Sequence, residues 1–402
     1  DSALDARPVS LSGYELPKPD YASQRFGFTI GGPLHIPRLL ETSRTFFFVN
    51  YSGSRGRQPW GASGTLPSAL ERSGDFSRSV TRVPITVFDR TSGAPFPGNR
   101  VPASLMDPAA LGLLPFLPLP NQPGLTQNYE FATSLTQVYD NLGVRLNQPL
   151  SRKSRVSAAY SRQKRENERA QLFGFFYPNQ TTGFSSDLSW TAHFSRNFIH
   201  VLKWNFSRSH ADTIPYFAFR RDVARELGIG GTSPDPLNWG PPNLSFTNFS
   251  GLRDASPVLR QDQTSGLSES LTLVRGAHSF SFGGEYRRNH LDTRTDQNAR
   301  GSYSFSGLMT SAVDAKGNPL AGTGFDFADF LLGYPQSASL RYGSNITYFR
   351  ETAASGFFQD DWRVRQNFTI NAGFRYEYFS PFREQGGRIA NLDVAPGFTG
   401  VA

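Results

Sequence analysis

Strict alternation of apolar and polar side chains is the feature that most limits what this chain can fold into. It is clearest in residues 368–378, which read FTINAGFRYEY. The apolar set is Phe368, Ile370, Ala372, Phe374, Tyr376 and Tyr378, and the other set is Thr369, Asn371, Gly373, Arg375 and Glu377. Because successive residues of a β-strand point to opposite faces, this period predicts a strand with one apolar and one polar face.

Similar segments recur in pairs along the chain. The pairs occupy residues 25–53, 141–162, 187–209, 269–288 and 357–379. We count about twelve strands, several of about nine to fourteen residues, and strands of this length cross a bilayer when tilted. Soluble β-sandwiches use strands of about five or six residues. Aromatic residues near strand ends, such as Trp190, Trp204 and Trp362, suit the interfacial girdle of a membrane barrel. The pattern favours an antiparallel transmembrane β-barrel.

The composition agrees with an all-β fold and excludes several other classes. The chain has 35 Phe, 15 Tyr, 38 Gly and 28 Pro, a mixture typical of strands separated by turns. The most apolar stretch, LGLLPFLPLP at 111–120, is interrupted by prolines, so a helical membrane span is excluded. The absence of cysteine excludes a disulfide scaffold or a cysteine nucleophile. The net charge of +8 is scattered and not clustered, so nucleic acid is not an expected partner.

The connections between strands alternate between short and long. Short turns are predicted at 149–154, 196–197, 275–278 and 365–367, whereas long loops are predicted at 56–136 and 211–260. This asymmetry is typical of outer-membrane barrels, whose periplasmic turns are short and whose extracellular loops are long. Within the first loop, TLPSALERSGDFS predicts a short helix ended by Gly74, and Asp107 followed by Pro108 predicts the start of a second helix, ended by Pro115.

No pattern in the sequence indicates catalysis or metal binding. Asp360 and Asp361 are adjacent in a predicted strand, so their carboxylates point to opposite faces and do not form an acid–base pair. The six histidines show no metal-binding spacing, and no phosphate-binding or nucleophile motif occurs. We therefore expect no enzyme activity, no catalytic residue, no bound metal and no cofactor.

Six stretches, in this order and at this spacing, resemble the barrel of Oar-like TonB-dependent outer-membrane receptors. They are FGFTIGGPL, RTFFFVNYSG, TLPSALERSGDFS, PFPGNRVPASLMDPAALGLLPFLPLPN, FADFLLGYP and FFQDDWRVRQNFTINAGFRYEY. The resemblance covers nearly the whole chain. It implies a barrel of about 22 strands with a plugged lumen, of which residues 1–402 correspond to the first half. The plug domain and the C-terminal strands of such a receptor are not visible in these residues.

The resemblance also implies a location and a mechanism. The location is the Gram-negative outer membrane, with outer-membrane lipid and lipopolysaccharide as surroundings. The mechanism is capture of a bulky, scarce ligand by the outer loops, followed by import driven by the TonB–ExbB–ExbD complex acting on the plug region. Siderophores, cobalamin, glycans and peptides are the candidate ligands. The hairpin at 357–379 is expected to turn on the periplasmic side.

Two sets of residues are the candidate contacts. Polar strand residues predicted to face the lumen, and the plug, are Arg145, Glu285, Arg287, Arg375 and Glu377. Aromatic residues of the long loops predicted to contact the ligand are Trp60, Phe76, Phe96, Tyr216, Phe219 and Trp239.

Two other functions remain open at this stage. The first is an outer-membrane adhesion or structural β-protein that does not transport. The second is a soluble β-sandwich binding module, which would stay monomeric without detergent, whereas an open half-barrel would aggregate.

Overall fold

Ten long antiparallel strands form the main sheet of the computed structural model. The structure describes residues 6, 21–36, 40–81, 83–343 and 345–389, with the backbone alone at 35–36 and 40–44. The long strands are β1 (Ser23–Ile36), β2 (Leu40–Gly64), β3 (Tyr129–Ser151), β4 (Ser154–Ala170), β5 (Phe176–Ser195), β6 (Phe198–Thr213), β8 (Val258–Arg275), β9 (His278–Thr295), β12 (Ile346–Arg365) and β13 (Phe368–Phe379). Four short strands are β7 (Asn243–Phe246), β10 (Ser302–Phe305), β11 (Ser337–Ser339) and β14 (Arg383–Glu384).

The main sheet is a meander in which each long strand pairs with the next long strand. Its order is β1-β2-β3-β4-β5-β6-β8-β9-β12-β13, with the two-residue β14 also paired to β12. The predicted all-β antiparallel fold is confirmed. Within the described residues, β1 pairs only with β2 and β13 pairs only with β12, so the sheet is a part of a barrel and not a closed one.

The register separates the side chains into an apolar face and a wet face. Val156 lies opposite Trp190, and Trp190 lies opposite Leu202, so large apolar side chains line up across neighbouring strands on the apolar face. The wet face carries rows such as Ser157, Ser189 and Lys203. A one-residue slip would move every side chain to the other face, so the alternation in the sequence fixes the register.

The apolar side chains of the apolar face cover only part of the length of the longer strands. On β6 the apolar face runs through Leu202, Trp204 and Phe206, and then becomes polar at Arg208 and His210. β6 has 16 residues and β9 has 18, whereas a tilted strand needs about 9–11 residues to cross a bilayer. The ends of β6 and β9 farther from the short turns are therefore wet on both faces.

Short turns lie at one end of the sheet and long connections at the other. The described short turns are 152–153, 196–197, 276–277 and 366–367, in agreement with the prediction. The long connections are 65–128, 214–257 and 296–345. The predicted loop bounds of 56–136 and 211–260 were too wide, because β2, β3, β6 and β8 extend into them. The third long connection was not predicted.

The three long connections fold together into one compact unit, which we call the cap. It contains α1 (Ala69–Arg72), α2 (Pro108–Leu113), α3 (Val223–Glu226), α4 (Asp326–Leu331) and a small sheet of order β11-β10-β7. Among the described helices, none has the length and apolar character needed to cross a membrane. Both predicted helices are present: Ser68 and Glu71 form a capping box on α1, Gly74 follows it at φ +84°, and the Asp107 side chain caps α2.

The cap has its own hydrophobic core. Its fully buried large side chains include Phe76, Val87, Leu117, Val223, Leu244, Leu252, Phe327, Phe330 and Leu331, drawn from all three connections. By contrast, apolar side chains of the main sheet such as Phe28, Leu188 and Phe374 are 46–70% exposed. The largest buried core therefore lies in the segments between strands, at the end opposite the short turns.

Candidate ligand site beneath the cap

The five residues predicted to face the lumen all lie on the wet face. Four of them meet on β9, β12 and β13: Glu285 lies 4.0 Å from Arg287, and Arg375 donates to Glu377 at 2.5 Å. The four line a single small cavity of about 40 Å³ together with Ser355. Arg145 lies several strands away on β3, opposite Phe48 and Ala159. The predicted set is thus one charged cluster plus one separate arginine.

The six aromatic candidates do not form one surface. Phe76 and Phe96, predicted as ligand contacts, are 0% and 6% exposed and pack in the cap core. Trp60 lies in strand β2 and not in a loop. Its ring contacts the ring of Phe131 edge-on, with the ring centroids 6.0 Å apart.

The other three aromatic candidates lie on the second connection. Tyr216 stacks on Phe175 at 5.5 Å, and Arg220 lies 4.9 Å above its ring. Trp239 is half-buried and donates to the Pro234 carbonyl at 3.3 Å. Phe219 is 62% exposed and is the most accessible of the six. These positions remain candidates.

A polar cavity lined by both the main sheet and the cap is the candidate site. We call it the cap cavity, and its volume is about 730 Å³. Its wall on the sheet side is Arg169 near the end of β4, Gln171 just after β4, Tyr177 and Asn179 on β5, and Thr213 at the end of β6. Its wall on the cap side is Asn243 and Ser245 on β7, residues 253–256, Asn298 and Ser302. Cavities of about 300–1,000 Å³ are the usual size of small-molecule sites.

The cap wall of this cavity is fixed by Asp254. Its side chain is 0% exposed and accepts backbone N–H groups from Tyr216 at 3.1 Å, Phe217 at 3.1 Å and Ala255 at 2.7 Å. The Arg300 guanidinium lies 3.5 Å from the carboxylate and donates to the Ala255 carbonyl at 2.6 Å. Burial lowers the pKa of Arg300, and the Asp254 charge opposes that effect. This pair joins the second long connection to the third.

The cavity carries unpaired positive charge. Arg169 and Arg253 are exposed side chains in its lining, and Arg253 donates to Ser245 Oγ at 3.3 Å. Among the described residues neither forms an ion pair with a carboxylate, and the one acid in the lining, Asp254, is already engaged. Asn243 Oδ1 is buried and has no hydrogen-bond partner. Arginine, amide and hydroxyl groups together can bind an anion and orient its hydroxyl groups.

Two buried carboxylates lie in α4, within the cap. Asp329 is 0% exposed and accepts from Gly307 N at 2.8 Å, Met309 N at 3.2 Å and Thr310 Oγ1 at 2.6 Å. Burial raises its pKa to about 6, against the opposing effect of these donors. Burial also raises the pKa of Asp326, which accepts from Asn248 N. In the part of the chain that the structure describes, no group of three or more His, Asp or Glu side chains could hold a metal ion.

Asp360 and Asp361 point to opposite faces. Asp360 lies on the apolar face and contacts His278 Nδ1 at 2.6 Å, while Asp361 accepts from Gln359 on the wet face. The two carboxylates do not share a site.

Comparison with known proteins identifies the family. The model of the family described as "Outer membrane beta barrel domain" matches residues 1–402, the whole chain.

The chain belongs to the outer-membrane β-barrel domain family.

Similar solved structures are distant and much longer than this barrel domain. The outer membrane transporter YddB from Escherichia coli is 8% identical, with a TM-score of 0.45, over 91% of this chain and 35% of that one. FpvA from Pseudomonas aeruginosa is 9% identical, with a TM-score of 0.43, over 92% of this chain and 38% of that one. The siderophore receptor PirA from Acinetobacter baumannii is 11% identical, with a TM-score of 0.40, over 94% of this chain and 38% of that one. No curated protein matches the chain.

Membership of this family indicates what surrounds each face of the main sheet. The barrel domain lies in the Gram-negative outer membrane. The apolar face contacts lipid, because its exposed aromatic and aliphatic side chains would otherwise face water. The wet face is then the inner surface of the barrel, and the cap cavity opens on that surface.

Sequence reasoning missed the residues of the cap cavity. Arg169 is separated by 84 positions from Arg253, and neither belongs to a recognisable motif. The local signal that was available is Arg253–Asp254 inside a loop, a pair of opposite charges at a position with no strand or helix pattern. That signal does not reveal that Asp254 forms an ion pair with Arg300, or that Arg253 forms no ion pair within the described residues.

Proposed function

We propose that this chain is part of an outer-membrane receptor that captures a ligand beneath its cap and imports it with energy from TonB. The observation that carries the proposal is the cap itself: three long connections fold into one unit with a shared core, and this unit and the barrel wall both line a polar cavity. A loop region with its own core is built to hold a defined shape, as a binding site requires.

The Oar-like resemblance supports the transport part of the proposal. The six resembling stretches include FADFLLGYP, which contains most of α4, and TLPSALERSGDFS, which contains α1, so the resemblance reaches the cap as well as the barrel. In this proposal the cap is extracellular and borders the lipopolysaccharide leaflet, and the short turns are periplasmic. The charged cluster of Glu285, Arg287, Arg375 and Glu377 contacts a plug domain in the lumen. TonB, with ExbB and ExbD, displaces that plug. No catalytic residue takes part.

The test is energised uptake in cells. The native gene is expressed in its own host, beside a strain that lacks it, and growth is compared on defined iron sources, cobalamin, glycans and peptides. We expect a growth advantage on one of these nutrients that disappears when TonB is removed. Equal growth of the gene-deleted strain on every nutrient would contradict the proposal, and so would an advantage that survives loss of TonB.

A second candidate is surface adhesion without transport. It is favoured by an apolar groove of about 680 Å³ on the cap, whose lining includes Val80, Leu119 and Leu125, which are 44%, 56% and 65% exposed. In that case Leu119→Ser and Leu125→Ser would reduce binding of cells to a surface or partner and leave every uptake rate unchanged.

A further inference from the structure

The cap cavity differs from the other cavities of the wet face in having two walls. The cavities near Ser52 and Arg165, of about 670 Å³, and near Ser161 and Asp262, of about 410 Å³, are lined by strands of the main sheet alone. The cap cavity is bounded on a second side by residues of β7, β10 and the segment 253–256. The hydrogen bonds of Asp254 and Arg300 hold this second wall in place, which reduces the entropy lost on binding.

Several arginines outside the cap cavity have acidic partners. Arg375 pairs with Glu377 at 2.5 Å, and Arg287 lies 4.0 Å from Glu285. Arg294 lies 2.7 Å from Asp296 and 2.5 Å from Asp235. The charges at these positions are balanced within the protein.

Arg169 and Arg253 lack such partners in the described part of the chain. The nearest candidate is Asp254, but three backbone N–H groups and Arg300 already occupy its carboxylate. Two guanidinium groups in one cavity repel each other, and an anionic ligand removes that repulsion while forming strong, directional hydrogen bonds.

The remaining lining is rich in hydroxyl and amide groups. They are Gln171, Tyr177, Asn179, Thr213, Asn243, Ser245, Ser256, Asn298 and Ser302. Asn179 Nδ2 donates to Thr213 Oγ1 at 3.3 Å, which orders this side of the lining. Asn243 Oδ1 is buried and, among the described residues, has no donor. Tyr177 is the one aromatic residue of the lining, so the cavity offers no pair of rings between which a planar ligand could stack.

We propose that the cap cavity binds a carboxylated, hydroxyl-rich ligand, with Arg169 and Arg253 holding the carboxylate and the amide and hydroxyl groups holding the hydroxyls. This inference rests on the proposed function, since it names the ligand class of the same site. Acidic oligosaccharides and small hydroxycarboxylates share this chemistry.

The experiment measures binding to the protein expressed from its native gene and purified in detergent, by calorimetry. The probes are trigalacturonate for an acidic oligosaccharide, citrate for a small hydroxycarboxylate, and maltotriose as a neutral oligosaccharide. We expect one of the two acidic probes to bind and maltotriose to bind at least about tenfold more weakly, because a charge-assisted contact is lost.

Arginine variants locate the site. Arg169→Gln and Arg253→Gln should each weaken binding of the acidic probe by about tenfold to a hundredfold. Arg78→Gln is the matched control: Arg78 is an exposed arginine of the cap that lies outside the lining of the cap cavity, and its loss should change affinity less than about twofold. Protease resistance of the cap, measured on each variant, separates lost binding from lost folding.

Several outcomes overturn the assignment. They are equal affinity for maltotriose, binding of neither acidic probe, or an equal loss in Arg78→Gln. Failure of this inference is distinguishable from failure of the proposed function. Arginine-dependent binding without TonB-dependent uptake would retain the ligand class and reject transport, whereas TonB-dependent uptake of a neutral ligand would retain transport and reject the ligand class.

Discussion

Asp329 makes the stability of the cap depend on pH. Its folded-state pKa is raised from 3.8 to about 6, so folding favours the protonated form. The stability that this contributes is fully present below about pH 4 and is lost as the pH rises through about 6. A pKa difference of this size corresponds to about 3 kcal/mol. Asp326 acts in the same direction because its pKa is also raised.

We therefore expect the cap to be more resistant to proteolysis at pH 5 than at pH 7.5. The side chain in Asp329→Asn is neutral at both pH values. The difference in protease resistance between pH 5 and pH 7.5 should therefore be smaller in this variant, and the remaining difference should come from Asp326. The measurement is the rate of cleavage within residues 296–345, corrected for the activity of the protease at each pH. A wild-type cap that is better protected at pH 7.5 would show that the sign is wrong.

Asp254 and Arg300 form one ion pair, but we expect them to contribute unequally to the stability of the cap. Asp254→Ala leaves a buried guanidinium without its partner and three backbone N–H groups without an acceptor, so we expect a loss of about 3–5 kcal/mol. Arg300→Met removes the charge while Asp254 keeps three donors, so we expect only about 1–3 kcal/mol. Urea-dependent protease resistance of the cap measures both, with Arg78→Gln as the neutral control. The reverse order would mean that the carboxylate does not organise this wall.

The six-residue helix α4 lies within the hydrophobic core of the cap. All six residues from Asp326 to Leu331 are buried, and Phe327 contacts the rings of Phe246 at 5.8 Å, Phe249 at 5.6 Å and Phe330 at 5.3 Å. Phe246 and Phe249 are distant from α4 in sequence. No local periodicity marks the helix, because a helix buried on every side has no polar face.

We expect Phe327→Ala to destabilise the cap by about 3–5 kcal/mol, since it creates a cavity among these rings. Phe219→Ala, at a 62% exposed phenylalanine of the same cap, should change stability by no more than about 0.5 kcal/mol. Hydrogen exchange of the cap amides under native conditions gives both values. Similar losses for the two variants would mean that the cap has no shared core.

The strand boundaries show what limits prediction at the level of elements. The sequence placed Trp60 in a loop because the alternation of β2 weakens after Tyr51, in the stretch SGSRGRQPWG. The structure continues β2 to Gly64, because its partner β3 supplies backbone hydrogen bonds along the whole length, up to Gly64 opposite Tyr129. The length of a strand depends on hydrogen bonds to the neighbouring strand, and the side-chain pattern of one strand alone does not show them.

At the scale of the whole molecule, the arrangement predicts an orientation in the membrane. The chain has no cysteine, so single cysteines can be placed freely. Asn197→Cys lies in a short turn, and Ser92→Cys lies in the cap, both at exposed positions. A membrane-impermeant maleimide should label Ser92→Cys on intact cells and Asn197→Cys only after the outer membrane is permeabilised. Labelling of Asn197→Cys alone on intact cells would reverse the orientation.

The sequence by itself determined the strands, the two faces and the short turns. The physical reason is that strand alternation and turn chemistry are local, with a period of two and turns of a few residues. The divergence of Asp360 and Asp361 follows from the same rule. Local capping signals also located α1 and α2.

Only the tertiary structure decided the cap and its cavity. Phe76 and Phe96 read as loop aromatics, yet they are buried because residues from all three connections pack around them. Arg253 and Arg169 become one site because strand pairing and the cap bring together positions far apart in the chain. Whether an arginine is balanced or free depends on which carboxylates the fold has already engaged. That is a property of contacts between distant segments, and no local pattern in the sequence encodes it.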